Sequence, residues 1–240
     1  MLRVEQECDG DGVRITSILS TDRMVEIPDS IDGRPVTAIG PRVLSRSQGV
    51  QGRTLRIPAT VVDIDGDALE GSTGLAAIEY GGGVEAFSRF GLTASSDCKV
   101  RFGDGFSFEF KGGVPMGFPA FDDAMMAFAS GLTLETAMAR LKNPVGLTEA
   151  NRDGYRRFVS ERIMPRAERA VASGDTGSIK ELLSTGMIGD ADLRSLLRRS
   201  ARSGKVAVTS MLMSEISSRN RKRSPVRAFQ QAPDVRGVSL

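Results

Sequence analysis

Three runs of carboxylates are the residues of this chain whose types and spacing could do chemistry: Asp9 and Asp11; Asp63, Asp65 and Asp67; and the adjacent Asp122 and Asp123. Two carboxyls about 5–9 Å apart can divide a hydrolytic step between a general acid and a base or nucleophile. Acids at alternate positions can also offer oxygens to a hard cation such as calcium. Plainer readings compete. Asp9-Gly10-Asp11-Gly12 is a hairpin turn signal. The segment after Asp63-Asp65-Asp67 lacks the bidentate Glu and the spacing of an EF-hand loop, and alternation along a strand and turn describes a solvated face. Gly81-Gly82-Gly83 lacks the Gly-Lys-Ser/Thr of a phosphate loop and reads as a turn. The chain contains no histidine. That removes Ser-His-Asp and Cys-His activation of a nucleophile, the usual His-bearing metal sites and the commonest general base. No residue is assigned a catalytic, cofactor-binding or metal-binding role, and the expectation is a protein that is not an enzyme and carries no cofactor.

Composition narrows the partner. The formal net charge over 240 residues is +2, which is no nucleic-acid footprint. The basic excess gathers at the end, where Arg219, Arg221, Lys222, Arg223, Arg227 and Arg236 face Asp234 alone. A basic tail of this kind could release counterions from phosphate, so nucleic acid or an anionic surface is an alternative partner. Phe229 is the one aromatic residue among these charges, which leaves base stacking poorly provided for. Cys8 and Cys98 form neither a zinc pattern nor a disulfide framework; buried free thiols are expected, with one disulfide between them as the alternative. Glu5, Glu7, Asp9 and Asp11 arrive where a signal peptide would be apolar, and no stretch is long and apolar enough to span a membrane. The default location is therefore the cytoplasm. A trimmed N-terminus would make the protein secreted or cell-surface.

These residues must be positioned by repeated elements. Val36-Thr37-Ala38-Ile39-Gly40 with Val43-Leu44 recurs as Val61-Val62-Asp63-Ile64-Asp65 with Ala68-Leu69, at a constant offset of 25. An Ile-Pro pair, Ile27-Pro28 or Ile57-Pro58, precedes each copy, and a third copy begins with Leu75, Ile78 and Tyr80. Each coil is expected to lay a short strand in a parallel sheet with its aliphatic residues inward. Proline then ends the ladder, because it has no N–H to donate. Val84-Glu85-Ala86-Phe87 and Cys98-Lys99-Val100-Arg101-Phe102 read as late strands. In Phe106-Ser107-Phe108-Glu109-Phe110 the three aromatics share one face, which suits a cap or a seam with the helical half.

At Ile27-Pro28, Asp32-Gly33-Arg34-Pro35-Val36 and Ile39-Gly40 the chain resembles the BspA-type leucine-rich-repeat family. The opening Asp9-Gly10-Asp11-Gly12-Val13-Arg14-Ile15 is similar to the hairpin that precedes the first repeat in that family. Val43-Leu44 and Ala68-Leu69 stand where the family has Ala-Phe. The resemblance covers roughly residues 9 to 80.

From Gly112-Gly113-Val114-Pro115 the strand pattern gives way to helices. Thr133 can cap a helix bearing Leu134, Met138 and Leu141, which Asn143-Pro144 stops. Tyr155, Phe158, Val159 and Ile163 make one apolar stripe, and Pro165 should kink that helix or open the next. Ala170-Val171-Ala172-Ser173-Gly174, followed by Ile179, Leu182, Leu183 and Gly186, is echoed 30 residues later by Ser200-Ala201-Arg202-Ser203-Gly204 with Val208, Leu212 and Met213. Between the copies, Asp190 can cap a helix with the stripe Leu193, Leu196, Leu197 and Ala201. These spacings resemble ankyrin repeats, without their Thr-Pro-Leu-His opening. The combination is similar to gut-bacterial leucine-rich-repeat proteins of unassigned function.

The expected fold is therefore α+β, an N-terminal leucine-rich-repeat β-solenoid followed by an all-α, ankyrin-like region. Domains are expected at 1–112 and 113–218, with a basic disordered tail at 219–240. The leading function is a non-enzymatic protein–protein interaction scaffold. Its expected partner surface is the exposed side of the repeat turns, Arg42, Arg46, Arg53 and Arg56, with Asp63, Asp65 and Asp67 beside them. A carboxylate-pair hydrolase is the last alternative.

Overall fold

The computed structural model describes residues 2–47, 49–128 and 131–223 of a mixed α+β chain. Two compact units divide it, Met1–Phe158 and Val159–Leu240.

The first unit opens with an antiparallel hairpin of β1 (Leu2–Asp9) and β2 (Gly12–Ser20), in which Asp9 faces Gly12. Gly10 has φ 59°, as the first central residue of a type II′ turn requires. The chain then winds in a β-solenoid-like arrangement, each coil serving two sheets. The first coil is β2 and β3 (Met24–Glu26). A short antiparallel excursion through β4 (Ser30–Ile31) leads to the second coil, β5 (Arg34–Ile39) and β6 (Arg53–Ile57). The third is β7 (Asp63–Ile64) and β8 (Leu75–Tyr80). In the fourth, α1 (Val84–Ser88) replaces the first-sheet strand, and β9 (Cys98–Phe102) serves the second sheet.

The 25-residue spacing is thus a structural rung. Ile15, Ile39 and Ile64 lie opposite one another in parallel register across β2, β5 and β7. In the second sheet Val25, Leu55, Ile78 and Val100 align across β3, β6, β8 and β9. All seven are buried. The corners stack too: Ile18 N–H donates to Val43 O, and Val43 N–H to Ala68 O. Pro58 follows β6 directly, and Tyr80 takes the place of Ile57 in the next coil. Successive turns approach so closely that a Cβ on Gly103 would collide with the Gly81 carbonyl.

The ends of the stack are closed differently. β1 covers β2, and β10 (Ser107–Phe110) folds back antiparallel on β9. Phe108 and Phe110 are buried with Phe118 and Phe121, ring centroids 5.0–6.1 Å apart, so the aromatic strand is core. The strand expected at Val84–Phe87 is the helix α1. Spacing i, i+3 puts Val84 and Phe87 on one helical face, and Phe87 packs edge-on to Phe102, 5.4 Å away.

Helices follow as composition predicts, but the first packing unit extends to Phe158 rather than ending near Gly112, because Phe118 and Phe121 join the aromatic core. It includes α2 (Ala120–Ala127), α3 (Leu134–Lys142) and the start of α4 (Glu149–Ser173). Thr133 caps α3 by accepting from the Thr136 N–H at 3.1 Å. Pro165 does not begin another helix; α4 runs through it.

The second unit holds the rest of α4, α5 (Thr176–Ser184), α6 (Asp190–Arg202) and α7 (Val206–Arg223). The 30-residue echo is geometric. Gly174 and Gly204 end α4 and α6 with φ of 81° and 67°. The next N–H groups, of Asp175 and Lys205, donate to the carbonyls of Ala170 and Ser200. Leu182 and Leu212 are both buried. Gly189, not Asp190, is the α6 cap, and Asp190 meets Arg219 at 3.5 Å. Helix α7 runs to Arg223, so Arg219, Arg221 and Lys222 are helical rather than part of a tail. Arg227 and Arg236 lie outside the described residues. No described helix is long and apolar enough to cross a membrane.

Leu55 tests the stack, because its side chain is enclosed between the rungs of two neighbouring coils. Leu55→Ala is expected to destabilise the first unit by about 2–5 kcal/mol. Both tyrosines, Tyr80 and Tyr155, belong to that unit, so their fluorescence during urea unfolding reads it selectively.

Candidate interaction surface

The seven residues expected on one partner surface do not share one. Arg56 stands on the outer face of the second sheet, in a cross-strand row Glu26, Arg56, Glu79, Arg101. Signs alternate along this row, with N–O distances of 3.3 Å to Glu26, 3.0 Å from Arg56 to Glu79 and 4.0 Å from Arg101 to Glu79. Hydrogen bonds to Glu79 and then Glu26 hold the Arg56 guanidinium above its ordinary pKa. Arg42, in the left-handed region at φ 51°, pairs with Glu70 at 2.9 Å, and Arg46 reaches Glu5 at 3.2 Å. Asp63 and Asp65 converge instead on Arg14, at 2.7 and 3.1 Å, with Asp9 3.8 Å away. Asp67 is exposed, and its backbone carbonyl accepts from the Arg42 N–H. Each of these ion pairs joins different coils or joins a coil to β1. Exposed pairs of this kind contribute little to stability, so they align the stack more than they strengthen it.

Arg53 corrects the sequence reading. It shares strand parity with Leu55 and Ile57 and points inward, with 1% of its surface exposed. Its Nη2 donates to Ser20 O at 3.0 Å and its Nε to Asp22 O at 3.3 Å. Desolvation lowers its pKa from the usual value. Arg53 therefore bonds a neighbouring turn and offers nothing to a partner.

The densest polar constellation lies elsewhere. Asp122 on α2 accepts from both Nε and Nη2 of Arg140 on α3 at 2.8 Å, and from the Tyr155 hydroxyl on α4 at 2.8 Å. Arg140 also donates to Asn143 O and Val145 O and lies 3.5 Å from the centre of the Phe118 ring. The Asp122 and Arg140 side chains are fully buried. Burial first, and then the Asp122 charge, push the Tyr155 phenol well above its usual value. Asp123 faces away, accepting from Asn151 Nδ2 at 2.7 Å. Asp122 and Asp123, read in the sequence as a candidate acid pair, thus serve separate bonds. The signal available beforehand was Arg140 beside Ala137 and Thr136 on the buried side of α3, at odds with a solvated arginine.

The two thiols also part company. Cys98 is buried, and desolvation pushes it up to about 12. Cys8 is exposed, contrary to expectation, with Arg34 Nη1 3.1 Å from its sulfur.

In the helical unit a shallow groove of about 610 Å³ runs between α5 and α7, lined by Lys180, Leu183, Ser184, Ser210, Met211 and Glu215 among others. Arg219 is held by Glu215 at 2.6 Å and by Asp190, which removes one charge from the basic terminal cluster. Among the described residues no group of three or more His, Cys, Asp or Glu side chains could hold a metal ion. Comparison with family models, with curated proteins and with solved structures returns no match.

Asp122→Ala leaves Arg140 buried without its counter-charge and is expected to cost about 3–5 kcal/mol. Asp122→Leu combined with Arg140→Met should cost less than either single change, as read by urea unfolding. A thiol reagent at mildly alkaline pH should modify Cys8 alone in the native protein and Cys98 only in denaturant. Since folding raises the Cys98 pKa above the unfolded value of about 8.5, its contribution to stability is full below that pH and declines above it, until the folded pKa is passed.

Proposed function

We propose that this protein is a non-enzymatic scaffold that binds a protein partner. One observation carries the reading: the ionisable side chains best placed for chemistry are engaged in holding coils and helices together, while the stacked strands leave a broad face in water. Asp63, Asp65 and Asp122 all have arginine partners within the fold. The open face is the outer side of the second sheet. There Met24, Thr54, Ala77, Lys99 and Glu109 form a second row beside the charged one. Five strands about 4.8 Å apart make it roughly 19 Å wide. Arg56 lies within it, and Arg42 and Arg46 stand on the turn that feeds it.

The finer assignments belong to the same proposal. A BspA-type leucine-rich-repeat identity for the β unit is supported by the Ile-Pro pairs and the rungs spaced by 25. An ankyrin-like identity for the helical unit is supported by the paired glycine caps at 174 and 204. Repeat units of either kind bury their cores by stacking and present continuous surfaces to partners.

The test replaces the exposed arginines together, Arg42→Glu, Arg46→Glu and Arg56→Glu, in the full chain. Partner recovery from the native host, mapped by cross-linking to the second-sheet face, should fall by about tenfold, equivalent to about 1.4 kcal/mol. Unchanged recovery removes this surface. Hydrolysis of ester, phosphate or glycoside substrates that Asp63→Asn and Asp65→Asn abolish would overturn the non-enzymatic reading itself.

A further inference from the structure

Helix α6 carries Asp190, Arg194, Arg198 and Arg202 along one ridge at four-residue spacing. Each step advances about 6 Å and rotates about 40°, so the three arginines span about 12 Å within an arc of about 80°. Leu193, Leu196 and Ser200 take the opposite, buried side, and all three arginines are exposed. Among the described residues none of the three makes an ion pair, whereas Arg199 on the flank pairs with Glu168 at 3.2 Å and Asp190 meets Arg219. Like charges at i, i+4 oppose helix formation. The unit thus keeps a row of three like charges that form no ion pair among the described residues, unlike the balanced rows of the first unit.

Resting on the scaffold reading above, the geometry points to this ridge as the docking face for an acidic helix of a partner protein, one with carboxylates at i, i+4 and i+8. Such a helix repeats every 6 Å as the arginines do, so the two ridges match charge for charge. Arginine forks bind carboxylates bidentately. Ala191 within the same arc and Ser195 just beyond it, both exposed, are small enough to let a second helix approach. A nucleic acid fits less well. Three contacts give a salt slope of only about −2.7.

The test uses the full chain and three fluorescent probes: an alanine-based helical peptide with Glu at four-residue spacing, an isomer with the same glutamates spread around the helix, and a short DNA duplex. Anisotropy at low and at about 0.15 M ionic strength should show the spaced peptide bound about tenfold tighter than its isomer. Arg194→Glu, Arg198→Glu and Arg202→Glu together should abolish that binding and create affinity for the matching Lys peptide. This charge-swap rescue shows that the variant remains folded. Equal affinity for the two isomers, binding that survives the reversal, or tighter binding to the duplex than to the spaced peptide overturns the assignment. The Arg42, Arg46 and Arg56 substitutions leave α6 untouched, so failure here does not count against the scaffold reading, nor the reverse.

Discussion

The first unit depends on the parallel register of aliphatic rungs from one coil to the next. Val25, Leu55, Ile78 and Val100 are buried in a line only because each strand repeats the parity and position of the last. A slip of one residue would turn those side chains to water and bring Glu26, Arg56, Glu79 and Arg101 into the core. The outer charged row and the inner aliphatic row are therefore two expressions of one registration. The ion pairs along the surface favour the alignment that burial of the rungs already selects.

The helical unit uses a different device for the same end. Glycine in the left-handed conformation closes α4 and α6, and the following N–H returns to a carbonyl five positions back. This sharp reversal brings Ile179 and Leu182, and later Val208 and Leu212, into the interior. The helical pairs bury apolar stripes in the unit's interior, while Arg194, Arg198 and Arg202 stand on the outer face of α6.

What could be read from residues alone follows the range of each interaction. The hairpin at Gly10, the rungs at Ile39 and Ile64, the cap at Thr133 and the reversals at Gly174 and Gly204 are periodic or local, and all were legible. The helix at Val84–Ser88 was not, because so short a segment satisfies either a strand or a helical turn. Arg53 was misread through its charge, although its parity with Leu55 and Ile57 gave its direction. The bonding of Asp122 with Arg140 and Tyr155 joins positions 18 and 33 residues apart on three helices. Each residue sat on the buried side of its own helix, but no periodicity says which buried polar groups will meet. The candidate surface was legible only as a set of charges, since sequence shows neither a side chain's partner nor the face it shares.

The hairpin that opens the chain also bears on solubility. A stack of parallel strands must end in an unpaired edge, and an edge free to hydrogen-bond invites another chain to continue the sheet. In this protein the outermost strand of the first sheet is β1, which carries Arg3, Glu5, Glu7 and Asp9 at alternate positions. Two copies meeting there would bring like carboxylates together across the new seam. The opening strand thus shields the first coil while making a poor template for fibrous growth.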